Sequence, residues 1–112
     1  AFSAQDDFIV RCKAFFRNLS INCPNTLIFA ISPIWRADFE SERKFGAFYE
    51  VEKRLMEICG RYERVKLISG FAFVPHDKNL FSDLRLHPND DGFKYYAENL
   101  IKEMKNYIFK AV

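Results

Sequence analysis

Asp83 and His87 stand four residues apart in the segment Phe81-Ser82-Asp83-Leu84-Arg85-Leu86-His87-Pro88-Asn89-Asp90-Asp91-Gly92-Phe93. A carboxylate that folds back onto an imidazole fixes its tautomer. It also stabilises the imidazolium formed when the other ring nitrogen takes a proton. An acid orienting a histidine is two thirds of a nucleophilic hydrolase triad, so the open question is the nucleophile. Pro88 biases His87 away from helical geometry. Asn89 or Asp90 can cap the helix that follows. The competing reading of the pair is a solvated loop ion pair, worth about 0–1 kcal/mol.

Other residues bear weighing against this loop. Ser32 and Ser82 are the serines nearest to possible site loops, but neither lies in a nucleophile-elbow sequence, and both read as turn or cap residues. Trp35 follows the end of an expected strand, where ligands gather in open α/β sheets. It is the candidate substrate-binding residue, with half-buried packing as the equal alternative. Arg36 and Arg85 read as solvated surface. His76-Asp77 reads as a polar loop pair. No spacing matches a zinc pattern, so no metal is expected, and no cofactor.

The elements that position these residues follow from periodicity. Residues 5–20 are expected to be helical, with Phe8, Cys12, Phe15 and Leu19 on one stripe, widened by Ile9 and Phe16. Thr26 to Ile31 is a nearly continuous apolar run, as in a strand buried on both faces. A second helix is expected over Ser41–Cys59, with Phe45, Phe48, Val51, Leu55 and Ile58 on one face. Ser41 serves as a partial cap, because Lys44 stands where a capping box places an acid. Gly60 is a fitting stop. Val65 to Ile68 is a second short strand. Residues 71–88 form a long mixed loop, and such loops are usually functional or mobile. The last helix is expected over about 89–109, with Phe93, Ala97, Leu100, Ile101, Met104 and Ile108 inward.

Helices alternating with strands imply an α/β layer with a parallel sheet. Two strands are few for a sheet that three amphipathic helices must cover. An open apolar edge recruits a partner. The expectation is therefore a single partial domain over 1–112.

Composition narrows the classes further. Nearly half of the 112 residues are apolar, 17% are aromatic and 13 are Phe, so the chain has the material for a core. Its formal net charge is only +2, from 17 basic and 15 acidic residues without a basic block, which argues against nucleic acid. No apolar run reaches the ~18 residues of a membrane span. Cys12, Cys23 and Cys59 are odd in number and form no CxxC motif. They read as reduced thiols, two of them in the core, which favours a reducing compartment such as the cytoplasm.

Leu86-His87-Pro88-Asn89-Asp90-Asp91-Gly92 resembles the last conserved block of the SGNH or GDSL-type hydrolases, in which an Asp and a His precede a Gly and a terminal helix. The upstream order is similar too: a strand ending Ile31-Ser32-Pro33-Ile34-Trp35, a helix, a short strand, then the block. The resemblance covers about residues 5–110. It implies the carboxy-terminal portion, with the last two strands, of a flavodoxin-like three-layer α/β/α SGNH fold. It also implies ester hydrolysis through a serine acyl-enzyme, with His87 as base and then acid, and Asp83 orienting it. The family's spacing is commonly Asp-x-x-His, whereas this chain has Asp-x-x-x-His. Asp77 is the fallback acid. The family's Gly-Asp-Ser block and Gly-x-Asn-Asp block do not occur here. The expected partners are a small acyl ester such as an acetylated sugar, and an amino-terminal segment or second chain that completes the sheet. The alternatives are a non-catalytic α/β binding module without the nucleophile, and an assembly piece that pairs with its own copy.

Overall fold

The structure is a computed structural model that describes residues 4–39, 47–84 and 86–108. The chain is mixed α/β, with three helices and a two-stranded parallel sheet among the described residues. No helix among them is long and apolar enough to cross a membrane. The chain gathers into two compact units, formed by residues 4–32 with 47–68 and by residues 33–39 with the described part of 69–108.

The first unit holds α1 (Ala4–Asn22), β1 (Ile28–Ile31), α2 (Phe48–Cys59) and β2 (Val65–Ile68). The strands pair in parallel, with Ile28 opposite Val65 and Ile31 opposite Ile68. Parallel strands need a long crossover, and α2 lies in the one that joins them. Ser32 extends the ladder by one bond, its N–H donating to the Ile68 carbonyl at 3.0 Å.

Alternate strand residues share a face. Accordingly Ile28, Ala30, Val65 and Leu67 all belong to the core built around Phe16, Ile58 and Cys59, with Ile9, Cys12, Leu19 and Leu55 packed against it. The face of α1 is rotated from the expected one: Phe16 is buried while its neighbour Phe15 is 58% exposed. Two adjacent aromatics satisfy the same periodicity, and only packing decides between them. The face of α2 is as expected, with Val51 and Ile58 buried. At its start the Ala47 N–H donates to the Glu50 carboxylate at 2.9 Å and the Glu50 N–H to the Ala47 carbonyl at 3.0 Å. The expected cap at Ser41, with Lys44 and Phe45, lies outside the described residues.

All three cysteines are free thiols. Burial pushes the Cys59 thiol up to about 11, with a further contribution from Cys12. Burial raises Cys12 as well.

The second unit is a long loop folded against α3 (Asp90–Ile108). Its buried apolar residues are Phe39, Phe73, Val74 and Phe81. Among the described residues the loop contains a short 3₁₀ turn, Lys78–Leu80, capped by Asp77, whose carboxylate accepts the Asn79 N–H at 2.9 Å. The helix meets the loop through Gly92, Tyr96 and Asn99. The Tyr96 ring lies edge-on to Phe73 at 5.2 Å, and the Asn99 amide donates to the Phe73 carbonyl at 2.8 Å. This choice of face corrects the expected inward set. Phe93, Ile101 and Ile108 are exposed at 56%, 53% and 43%. The reason is geometric: Gly92 permits a close backbone approach, and that approach sets the rotation of the helix.

Candidate active site

The loop between Phe81 and Pro88 closes on itself. These two residues form an isolated antiparallel bridge, and the Ser82 N–H donates to the His87 carbonyl at 2.7 Å. Within the closed turn one oxygen of Asp83 accepts the backbone N–H of Leu86 at 2.6 Å and that of His87 at 3.3 Å. The other oxygen lies 3.1 Å from His87 Nδ1. A single carboxylate thus holds both the imidazole and the backbone that carries it. Because a carboxylate is an acceptor, this contact places the proton on Nδ1 and leaves Nε2 as the basic nitrogen. The His87 side chain is 75% exposed, so Nε2 is accessible.

The extra residue in the Asp-x-x-x-His spacing has a structural counterpart. Leu84 adopts φ 57°, the left-handed region, and is the one described non-glycine residue with a positive φ. Side chains pay about 1–2 kcal/mol there. The backbone turns at Leu84, and this turn accompanies the contact between Asp83 and His87.

The far end of the loop is fixed to α3. Asn89 is the helix cap: its side-chain oxygen accepts the Gly92 N–H at 3.0 Å, and its amide group donates to the Asn79 carbonyl at 2.7 Å. Its backbone N–H donates to the Leu80 carbonyl at 2.8 Å. His87 therefore sits two residues before a cap that is bonded on both sides.

Trp35 is half-buried in the same unit. Its indole is stacked on the His76 imidazole, with ring centres 5.1 Å apart and planes inclined by 12°. The Phe81 ring approaches it edge-on at 5.6 Å. Phe71 packs edge-on against both His76 and Phe39, at 4.4 Å and 5.0 Å. The His76 Nε2 lies 2.9 Å from the Phe71 carbonyl, so Nε2 carries the proton of that bond. Phe81 thus belongs both to the bridge that closes the Asp83–His87 loop and to the aromatic cluster around Trp35. Sequence reasoning treated His76 and Asp77 as a pair. The structure separates them, giving His76 to the aromatic cluster and Asp77 to the 3₁₀ turn. The available signal was the density of aromatic residues on both loops.

The remaining sequence candidates find other roles. Arg36 is not simply solvated: its guanidinium clasps Asp38 through Nε and Nη2, both at 2.8 Å, with both side chains largely buried. Arg85 lies outside the described residues. The Ser32 hydroxyl is buried and donates to Glu52 at 2.5 Å. The Ser82 hydroxyl donates to the His87 carbonyl at 3.2 Å, away from the ring. No hydroxyl among the described residues is hydrogen-bonded to the His87 imidazole, and no cluster of three metal-ligating side chains occurs among them.

No family model matches the chain. No curated protein and no solved structure matches it either. The reading of the site therefore stands on its geometry and on the sequence block at 83–92.

Proposed function

We propose that the chain supplies the acid–base half of a carboxylic ester hydrolase of the SGNH type, with Asp83 and His87 as two members of a Ser-His-Asp triad. The observation that supports this reading is the contact between Asp83 and His87 Nδ1 at 3.1 Å in a closed, capped loop, with Nε2 left exposed. In the proposed reaction His87 Nε2 takes the proton of a serine hydroxyl as its oxygen attacks the acyl carbon. The imidazolium, held by Asp83, then returns the proton to the departing alkoxide, and water repeats the sequence to release the acid. The serine and the oxyanion donors come from a segment or chain outside these 112 residues. On this reading the two parallel strands are the last two of a three-layer α/β/α sheet. Trp35 lines the acyl-ester cleft with its unstacked surface, and a small acyl group, as in an acetylated sugar, suits it best.

The second reading is that Asp83 braces a loop of a non-catalytic binding module. It is favoured by the two backbone bonds that the carboxylate accepts, which would hold the turn shut whether or not chemistry occurs. Hydrolysis of a short-chain aryl ester by the full-length protein, measured beside His87→Ala, separates the two. The catalytic reading expects a fall of about 10²–10⁴-fold, the usual contribution of a positioned general base. Equal rates for the two proteins would sink it.

A further inference from the structure

α1 and α2 are in contact, and both turn apolar residues into the core of the first unit. On α1, Ile9, Cys12, Phe16 and Leu19 fall on one face. Phe16 is buried there, and the other three pack against the buried set. On α2, Leu55, Ile58 and Cys59 share a face, and Ile58 and Cys59 are each only 2% exposed. One cysteine thus lies within α1 and another ends α2, both against the same core. They are near enough for a charge on Cys12 to raise Cys59 further. The third cysteine, Cys23, stands just past the end of α1.

Helix packing brings such a pair within bonding range. Packed helices run about 8–10 Å apart with Cα atoms about 2.3 Å from each axis, so facing Cα atoms approach to about 5 Å. A disulfide spans about 4.4–6.8 Å between Cα atoms.

We propose that Cys12 and Cys59 form a cross-linking site, which a small-molecule disulfide closes into a bond tying α1 to the end of α2. Cys12 is half-buried and Cys59 buried, so Cys12 meets the reagent first. Its thiolate sulfur bonds one sulfur of the reagent, and the other half leaves as a thiolate. The Cys59 thiolate then attacks the Cys12 sulfur and expels the second half. The protein loses two electrons to the reagent, and each thiol proton ends on one released half. Burial raises both thiols, which keeps them protonated and the exchange slow, so the site closes only under a lasting excess of oxidant. Both cysteines belong to the first unit, and the Asp83–His87 loop belongs to the second, so the cross-link does not rest on the proposed hydrolysis.

Incubation of the reduced, folded chain with excess oxidised glutathione, followed by alkylation and peptide mapping, tests the site. The map should contain one linked peptide pair, joining Cys12 to Cys59. A Cys23→Ser chain should then weigh two hydrogens less than its reduced form. Cys59→Ser should stop at a mixed disulfide on Cys12. The linked chain should unfold at a higher urea midpoint, because the bond restricts the unfolded state, and reduction by a dithiol should restore the original value. A wild-type chain that stops at mixed disulfides, or that stays fully reduced, overturns the proposal. So does a principal link through Cys23 or between two chains. A linked chain that unfolds at a lower midpoint also overturns it, since the bond would then require the helices to move apart from their native packing.

Discussion

Replacing Gly92 by Ala should destabilise the protein, although the same change in an exposed helix stabilises it. Alanine is favoured over glycine in a helix interior by about 1 kcal/mol. At Gly92, however, an added Cβ would lie 2.3 Å from the Leu80 carbonyl oxygen and 2.9 Å from the Pro88 Cβ. Carbon contacts are comfortable at about 3.5–4.0 Å, so backbone must separate from backbone. Overpacking of this kind costs about 1–3 kcal/mol. The same carbonyl accepts the Asn89 N–H, and Asn89 caps the helix at the Gly92 N–H. Displacing it puts at risk about a further 1 kcal/mol of capping. The net expectation is a loss of about 1–3 kcal/mol. Urea unfolding followed by circular dichroism would read this as a lower midpoint at unchanged slope. Gly60→Ala is the control: Gly60 has an ordinary helical backbone, and the nearest atom to an added Cβ is the Met56 oxygen at 3.0 Å. It should shift stability by less than about 1 kcal/mol. If Gly92→Ala is as stable as wild type or more so, the close approach of helix and loop is wrong.

Three further outcomes follow from individual contacts. Leu84→Gly should stabilise the chain by up to about 1 kcal/mol, because relief of the left-handed strain exceeds the entropy cost of glycine; a loss in thermal unfolding would contradict the assigned backbone. Ser32→Ala removes the hydroxyl that Glu52 accepts at 2.5 Å and should cost about 1.5–3 kcal/mol in urea unfolding. An unchanged midpoint would show that the bond contributes nothing. For Cys59 the raised folded value means that the neutral thiol's contribution is complete below the ordinary 9.0 and is lost as pH rises toward about 11, since the unfolded chain ionises first. Stability relative to Cys59→Ala should therefore fall between those two pH values, and a difference that stays flat across them would refute the burial argument.

The parts that were legible in the sequence are those decided by local chemistry. Val65–Ile68 reads as a short strand closed by Ser69-Gly70, and the structure has it at the same bounds. The reach of Asp83 to His87 is also local, since a closed four-residue step brings carboxylate to ring. The faces of α1 and α3 were less legible, because periodicity finds an apolar stripe without finding what lies against it. Phe15 and Phe16 compete for one position, and on α3 the contact with the loop runs through Gly92, Tyr96 and Asn99, which no hydropathy pattern singles out. The stack of Trp35 on His76 joins two segments distant in sequence, and no local spacing encodes it.

The chain has one tryptophan, and Trp35 lies in the second unit, pressed against the His76 ring. Its emission therefore reports on that unit, sensitive to whether the imidazole stays in place. α1 and α2 belong to the other unit and α3 to this one, so circular dichroism reports on both units together. Denaturation followed by both probes at once becomes a measurement of coupling. Coincident curves would make the two units a single cooperative body, and separated curves would assign each unit its own free energy of unfolding.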